Sequence, residues 1–191
     1  MIACNNDKPA EQKEEAAAVP VTETKMQPAE FADPKYTEMG KNALAALSKG
    51  DIAGWMKGYA ENAVYQFNSG DSIVGKTAIT NYWTKRRTEV IDSISFSNMI
   101  FLPLKVNQPQ SIEQPGIWLL GWYSVSARYK SGNSMTQLLH TDIHFNSSDQ
   151  IDRVIMYIDR VPINAASKKW LLIFVFFLKG AFGHLLILYL L

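Results

Sequence analysis

At 191 residues the chain has room for one ordinary domain with tails. Lys and Arg number 19 against 18 Asp and Glu, a net charge of +1, so no global field recruits nucleic acid. Cys4 is the only cysteine, which excludes an internal disulfide and a cysteine-based zinc cluster.

The chain opens MIACNNDKP, with Ile2-Ala3-Cys4 resembling the end of a bacterial lipoprotein signal. Only three residues precede Cys4, too few for the basic and apolar regions such a signal needs. Two readings stand side by side: a free cysteine on a floppy terminus, or the lipidation site of an N-terminally clipped lipoprotein. Residues 5–32 are rich in Ala, Glu, Lys, Gln and Pro and nearly lack large apolar side chains, so they do not repay the entropy of ordering. Residues 1–33 are therefore expected to be a disordered tether.

Asp33-Pro34 supplies an N-cap and a first-turn proline for a helix. That helix carries Tyr36, Met39, Ala43, Leu44 and Leu47 at helical spacing and ends at Gly50. Asp51 caps a second, short helix, IAGWMKGY. ENAVYQFN alternates and is rich in β-formers, Ser69-Gly70 turns the chain, and DSIVG returns as a short partner strand. GKTAITNYWTKRRTEV reads as a third helix, with Ile79, Tyr82, Trp83 and Val90 inward and Lys85, Arg86 and Arg87 exposed. Gly75-Lys76-Thr77 lacks the upstream glycine of a phosphate loop and is a helix entry.

From Ser93 to Val161 the pattern is strand. SISFSNMIFLPL holds Ile94, Phe96, Ile100 and Leu102 in one parity and is expected to end at Pro103. GIWLLGWYSVSARYK follows, with Gly121 as a bulge candidate, and then SMTQLLHTDIHFN and IDRVIMYIDRV, separated by polar turns. The domain so read occupies residues 34–163. Residues 164–191 form an apolar tail whose last 22 residues, from Trp170, are broken only by Lys179, Gly180, Gly183 and His184. As one helix they would span roughly 33 Å, enough for a bilayer. The alternatives are an apolar extension packed on its own domain or a segment without function.

The order helix, helix, hairpin, helix, four strands resembles the nuclear transport factor 2-like superfamily, in particular its SnoaL-like branch of small secreted or lipoprotein members. The residues that carry the resemblance are LSKGD (Leu47 to Asp51), YAENAVYQFN (Tyr59 to Asn68), GKTAITNYW (Gly75 to Trp83) and the final HFNSSDQIDRV with YIDR. The resemblance implies an α+β, cystatin-like fold: a cone-shaped, curved antiparallel sheet wrapped around three N-terminal helices, with a pocket at its wide end. It does not cover the apolar tail. The superfamily includes ketosteroid isomerases, polyketide cyclases, epoxide hydrolases and scytalone dehydratases beside members that only bind or assemble, so the fold alone assigns no reaction.

Leu138, His140, Asp142 and His144 share one strand face, opposite Leu139, Thr141, Ile143 and Phe145. Patterning turns the apolar set to the core and leaves the polar set in water. The resemblance implies the opposite placement, because epoxide hydrolases of this fold aim a charged residue and an Asp from this strand, and an Asp from the next, into the pocket. His140, Asp142 and Asp159 have that shape, with His where that branch has Arg; the cyclase branch, pairing a late-strand His with an Asp, fits His140 or His144 with Asp159. These three are the candidate catalytic residues, with Asp159 equally readable as a surface pair or cap. The aromatics Tyr65, Tyr82, Trp83, Trp118, Trp122 and Tyr157 are candidate ligand contacts. No metal is expected, since alternate residues of a strand stand about 6.5–7 Å apart.

The expected function is a small-molecule-binding domain of the bacterial cell envelope, taking a small apolar ligand, with no cofactor and no nucleic acid. Membrane association would come through a lipid on Cys4 or through residues 170–191. The alternatives are a proton-transfer enzyme of the cyclase, isomerase or epoxide-hydrolase type using the His/Asp groups, and a dimeric scaffold joined through the sheet.

Overall fold

A computed structural model describes residues 26–109 and 114–168. Cys4 and the apolar run from Trp170 therefore lie outside the described residues. In chain order the elements are β1 (Ala29–Phe31), α1 (Lys35–Lys49), α2 (Ile52–Met56), β2 (Tyr59–Phe67), β3 (Ser72–Val74), α3 (Lys76–Lys85) with a π-helical turn over Arg86–Val90, β4 (Ile91–Val106), β5 (Gly116–Tyr129), β6 (Ser134–Phe145), β7 (Ile151–Tyr157) and α4 (Arg160–Ser167).

The helix ends follow their local chemistry. Asp33 accepts the Lys35 N–H through Oδ1 at 2.8 Å, and Gly50, at φ +77, closes α1 by donating to the carbonyls of Ala46 and Leu47. Asp51 caps α2 by accepting the Gly54 N–H at 2.8 Å. The strands form one seven-stranded sheet in the order β1-β4-β5-β6-β7-β2-β3. Every neighbouring pair is antiparallel except β2 with β7, which run parallel, so the sheet is mixed. Helices α1 to α3 pack against strands of this sheet, and the core, with Ala63, Tyr65, Ile79, Leu119 and Tyr129 almost fully enclosed, lies between the two layers.

Four local features depart from the sequence reading. Ala29–Phe31 pairs with β4 and α4 runs on to Ser167, so the folded unit extends past both residue 34 and residue 163. Pro103 does not end β4. It pairs with Leu119, and its carbonyl accepts from Ala32 N at 3.0 Å. A residue's N–H and C=O point to the same side of a strand, so the missing N–H of Pro103 faces β1 and ends the pairing of β1 instead.

In β4, Ser97 pairs with Ser124 and Ile100 with Trp122, leaving Asn98 and Met99 opposite Tyr123 alone. Asn98 sits at φ +52, so this is a bulge built on a left-handed residue. The extra residue inverts the alternation: Ile94 and Phe96 face the core before it, Phe101 faces it afterwards, and Ile100 is 64% exposed. Gly121 is not a bulge. It keeps register with both neighbours, and a Cβ there would stand 2.8 Å from the ring of Phe101 and 3.0 Å from Thr141 Oγ1. Glycine is needed at 121 because the Phe101 ring lies on the backbone there.

Candidate functional site

The inner face of β6 is apolar: Leu139, Thr141 and Phe145 are buried, and Ile143 packs beside them. Strand alternation therefore sends His140, Asp142 and His144 to the outer face, away from the helices. The imidazole of His140 is sandwiched between its two cross-strand neighbours, stacked on Trp122 at 4.6 Å and tilted against Tyr157 at 5.3 Å. Its Nδ1 lies 3.0 Å from the Gly121 carbonyl, which only accepts, so Nδ1 carries the proton there. Nε2 stands 2.7 Å from Asp142 Oδ1, a buried oxygen that receives no aligned hydrogen bond. Burial, with the Asp142 carboxylate beside it, raises the Tyr157 hydroxyl above its ordinary value.

His144 is the more enclosed of the two. Its Nδ1 is 2.6 Å from Asp152 Oδ1 and its Nε2 is 3.2 Å from the Pro115 carbonyl, while its ring packs on Trp118 at 4.9 Å. The Trp118 indole N–H donates to the Gln114 carbonyl at 2.7 Å, and Arg153 donates to Gln66 Oε1 at 2.9 Å. These groups lie on the outer face of the sheet and line neither the interior cavity nor the cleft beside it. Asp159 does not join them. It leaves the strand and caps α4, accepting the Val161 N–H at 2.8 Å. The three candidate catalytic residues are thus split between an outer-face pair and a helix cap, and none lines the interior.

The interior holds a cavity of about 80 Å³ between α1, α2, α3 and the inner sheet face. Trp55, Tyr59, Tyr65, Trp83 and Tyr123 supply its aromatic wall, with Ala43, Leu44 and Leu47 from α1 opposite. The rings meet edge to face, Trp55 lying 5.1 Å from Tyr59 and 5.4 Å from Trp83. The Tyr65 hydroxyl faces Met156 Sδ at 3.4 Å and that of Tyr123 faces Thr141 Oγ1 at 3.4 Å, both weak contacts. Burial pushes the Tyr123 hydroxyl up to about 12 and holds Tyr59 and Tyr65 well above the ordinary tyrosine value. All three are neutral donors. No carboxylate, imidazole or lysine lines the cavity; apart from tyrosines, its one ionisable residue is Arg86.

A wider cleft of about 380 Å³ adjoins it, sharing Trp83, Arg86, Met156, Ile158 and Ile163 and adding Phe67, Tyr82, Asp71 and Arg160. Asp71 and Arg160 are paired at 2.7 Å, and the Arg160 guanidinium lies over the Phe67 ring at 4.7 Å. Of the six aromatic candidates, Tyr65 and Trp83 reach the cavity and Tyr82 and Trp83 the cleft, whereas Trp118, Trp122 and Tyr157 stand on the outer face. Arg86, read as an exposed helix residue, is half-buried. Its spacing already points it inward, since it lies three residues after Trp83, four after Tyr82 and seven after Ile79 on the inward stripe of α3. Among the described residues no group of three His, Cys, Asp or Glu is gathered to hold a metal ion.

No protein-family model and no curated protein matches the chain. Solved structures do. A candidate polyketide cyclase of Xanthomonas campestris pv. campestris superposes with a TM-score of 0.56 at 15% identity, over 69% of this chain and 96% of its own. A candidate isomerase of Bacillus subtilis gives 0.56 at 19%, over 72% and 96%. A nuclear transport factor 2-like protein of Burkholderia xenovorans gives 0.54 at 16%, over 73% and 100%. At such identities the shared property is the fold, and each of these proteins is covered almost end to end by the described domain.

Proposed function

We propose that this chain, an α+β protein of the nuclear transport factor 2-like fold, binds a small, largely apolar molecule between its helices and the inner face of its sheet. The observation that carries this reading is the lining of the cavity: aromatic rings with neutral hydroxyls, aliphatic side chains, and no carboxylate or imidazole. Such walls hold a ligand by burial, at about 25 cal/mol per Å² of apolar surface, and offer no group that exchanges a proton near neutral pH. This weighs against cyclase, isomerase or epoxide-hydrolase chemistry through His140, Asp142 and Asp159. At about 80 Å³ the cavity takes only part of an ordinary ligand, so the ligand also occupies the adjoining cleft of about 380 Å³.

Trp55 and Trp83 report on the site. A neutral naphthalene should quench them saturably, and Ala43→Leu, which fills the cavity from α1, should weaken that binding with little change in Tm. A titration that stays linear to the solubility limit would end this reading.

A second reading, a homodimer or interaction module, is favoured by the outer sheet face. There Ile100, Trp122, Leu138 and Tyr157 are 64%, 40%, 76% and 40% exposed. A concentration-independent monomer mass by light scattering would count against it. The envelope location rests on Cys4 and on residues 170–191; among the described residues no helix is long and apolar enough to cross a membrane. Labelled palmitate incorporated by the wild-type chain and not by Cys4→Ser would support lipid anchoring, and equal labelling of both would remove it.

A further inference from the structure

Arg86 lines both the cavity and the cleft, and Trp83 lines both beside it. Among the described residues no carboxylate pairs with Arg86; its guanidinium carbon stands 5.7 Å from the Tyr82 ring, a contact that positions the charge without neutralising it. Of the other cations nearby, Arg160 is paired with Asp71, and Arg87 lines neither space: it packs over Gly50 at the carboxyl end of α1, with its Nε and Nη1 buried without a hydrogen-bond partner. The cavity and cleft thus carry one uncompensated positive charge. Its field is felt inside: burial raises Tyr129 and Tyr65, and Arg86 acts on both in the opposite direction.

The second observation is independent. Trp83 is 7% exposed, and its indole Nε1 is buried with no hydrogen-bond partner. A buried donor of this kind is unfavourable unless something supplies an acceptor. Guanidinium and indole N–H are both donors only, and the guanidinium is charged at every accessible pH. One group answers both: an anion, which brings acceptors and no proton of its own.

Building on the cavity reading above, we propose that the ligand carries a compact anionic group, a carboxylate in the simplest case, held by the Arg86 guanidinium and the Trp83 indole N–H where cavity and cleft meet, with its apolar remainder inside the cavity. The site therefore selects small amphipathic acids over neutral apolar molecules of the same length.

Octanoate and 1-octanol, matched in length and different in charge, test this on the full chain by tryptophan fluorescence titration. The wild type should bind octanoate about tenfold or more tightly than octanol, as one charge-assisted contact in a partly desolvated site provides. Arg86→Met should bring octanoate down to the level of octanol measured on the same variant, and Trp83→Phe should reduce the preference by a smaller factor, read through Trp55. Equal wild-type affinities, or a preference that survives Arg86→Met, overturn the anion site and leave the cavity reading intact. Binding of neither probe overturns both. The wild-type comparison requires no variant, so it stands even if Arg86→Met fails to fold.

Discussion

The ring of Phe101 is held between two glycines, and replacing one of them tests how closely α1 and the sheet are fitted. A Cβ on Gly121 would lie 2.8 Å from Phe101 Cε1 and 3.2 Å from Cδ1, against an ordinary carbon–carbon contact of about 3.5–4.0 Å. The ring must therefore retreat by about 0.7–1.2 Å. Its retreat runs toward α1, where a Cβ on Gly40 would already meet Phe101 at 3.2 Å and Leu119 at 2.7 Å. Gly121→Ala is thus an overpacking change costing about 1–3 kcal/mol, of which about 0.5–1 is returned by the reduced freedom of the unfolded chain. A net loss centred on about 1 kcal/mol and reaching about 2.5 follows, measurable as a lower urea midpoint at unchanged m-value. Phe101→Leu in the same background removes the clashing ring edge, so the double-mutant cycle should show a coupling of about 1 kcal/mol or more. A midpoint unmoved by Gly121→Ala, or strictly additive variants, would refute the packing argument.

Asp159→Ala should cost about 0.5–2 kcal/mol in urea denaturation through loss of the α4 cap while leaving probe binding unchanged; a loss of binding with intact stability would restore Asp159 to the site. At the acid end, Lys35 and then Tyr36 hold the Asp149 carboxyl below its ordinary value, and Arg160 does the same for Asp71. Depressed carboxyls stabilise the fold above the unfolded value and lose that contribution as pH falls through the folded one, so stability should decline below about pH 4, less so in high salt because both groups are exposed. At the alkaline end the sign reverses. Buried Tyr59, Tyr65 and Tyr123 bind their protons more tightly folded than unfolded, so stability should fall as pH rises above about 10, and absorbance titration should show these phenols ionising only as the protein unfolds. Phenolate absorbance that rises fully near pH 10 in the folded protein would contradict their burial.

The order of α1 to α3 and of β2 to β7 was legible because each carries its own period: 3.6 in the helix of Tyr36 and Leu47, 2 in the strand of Leu139, Thr141 and Phe145. Simple alternation also placed His140 and Asp142 correctly, on the face away from the core, where family resemblance aimed them inward. What escaped was set by neighbours. Ala29–Phe31 has no pattern of its own and is a strand only because β4 offers it an edge, and Asn98 shifts the phase of β4 through one positive φ. Arg86 escaped for a different reason: its charge suggested solvent, although its spacing from Ile79, Tyr82 and Trp83 puts it on the inward stripe of α3. In a strand, periodicity carries facing information only while the pairing stays constant.

The bulge at Asn98 makes β4 two half-strands in opposite phase, and the consequence concerns insertions and deletions more than substitutions. Removing Asn98 or Met99 would leave the facing of both halves intact, because a single residue would then stand opposite Tyr123 and plain alternation would run from Phe96 inward to Ile100 outward and Phe101 inward. Straightening the strand at its full length is what would exchange the wet and dry assignments of the distal half, sending Phe101 outward and Ile100 inward and taking from Gly121 the ring that makes it necessary. The bulge is therefore the means by which the strand absorbs one extra residue, and a variant one residue shorter at Asn98 or Met99 could keep Phe101, Gly121 and Gly40 as they are.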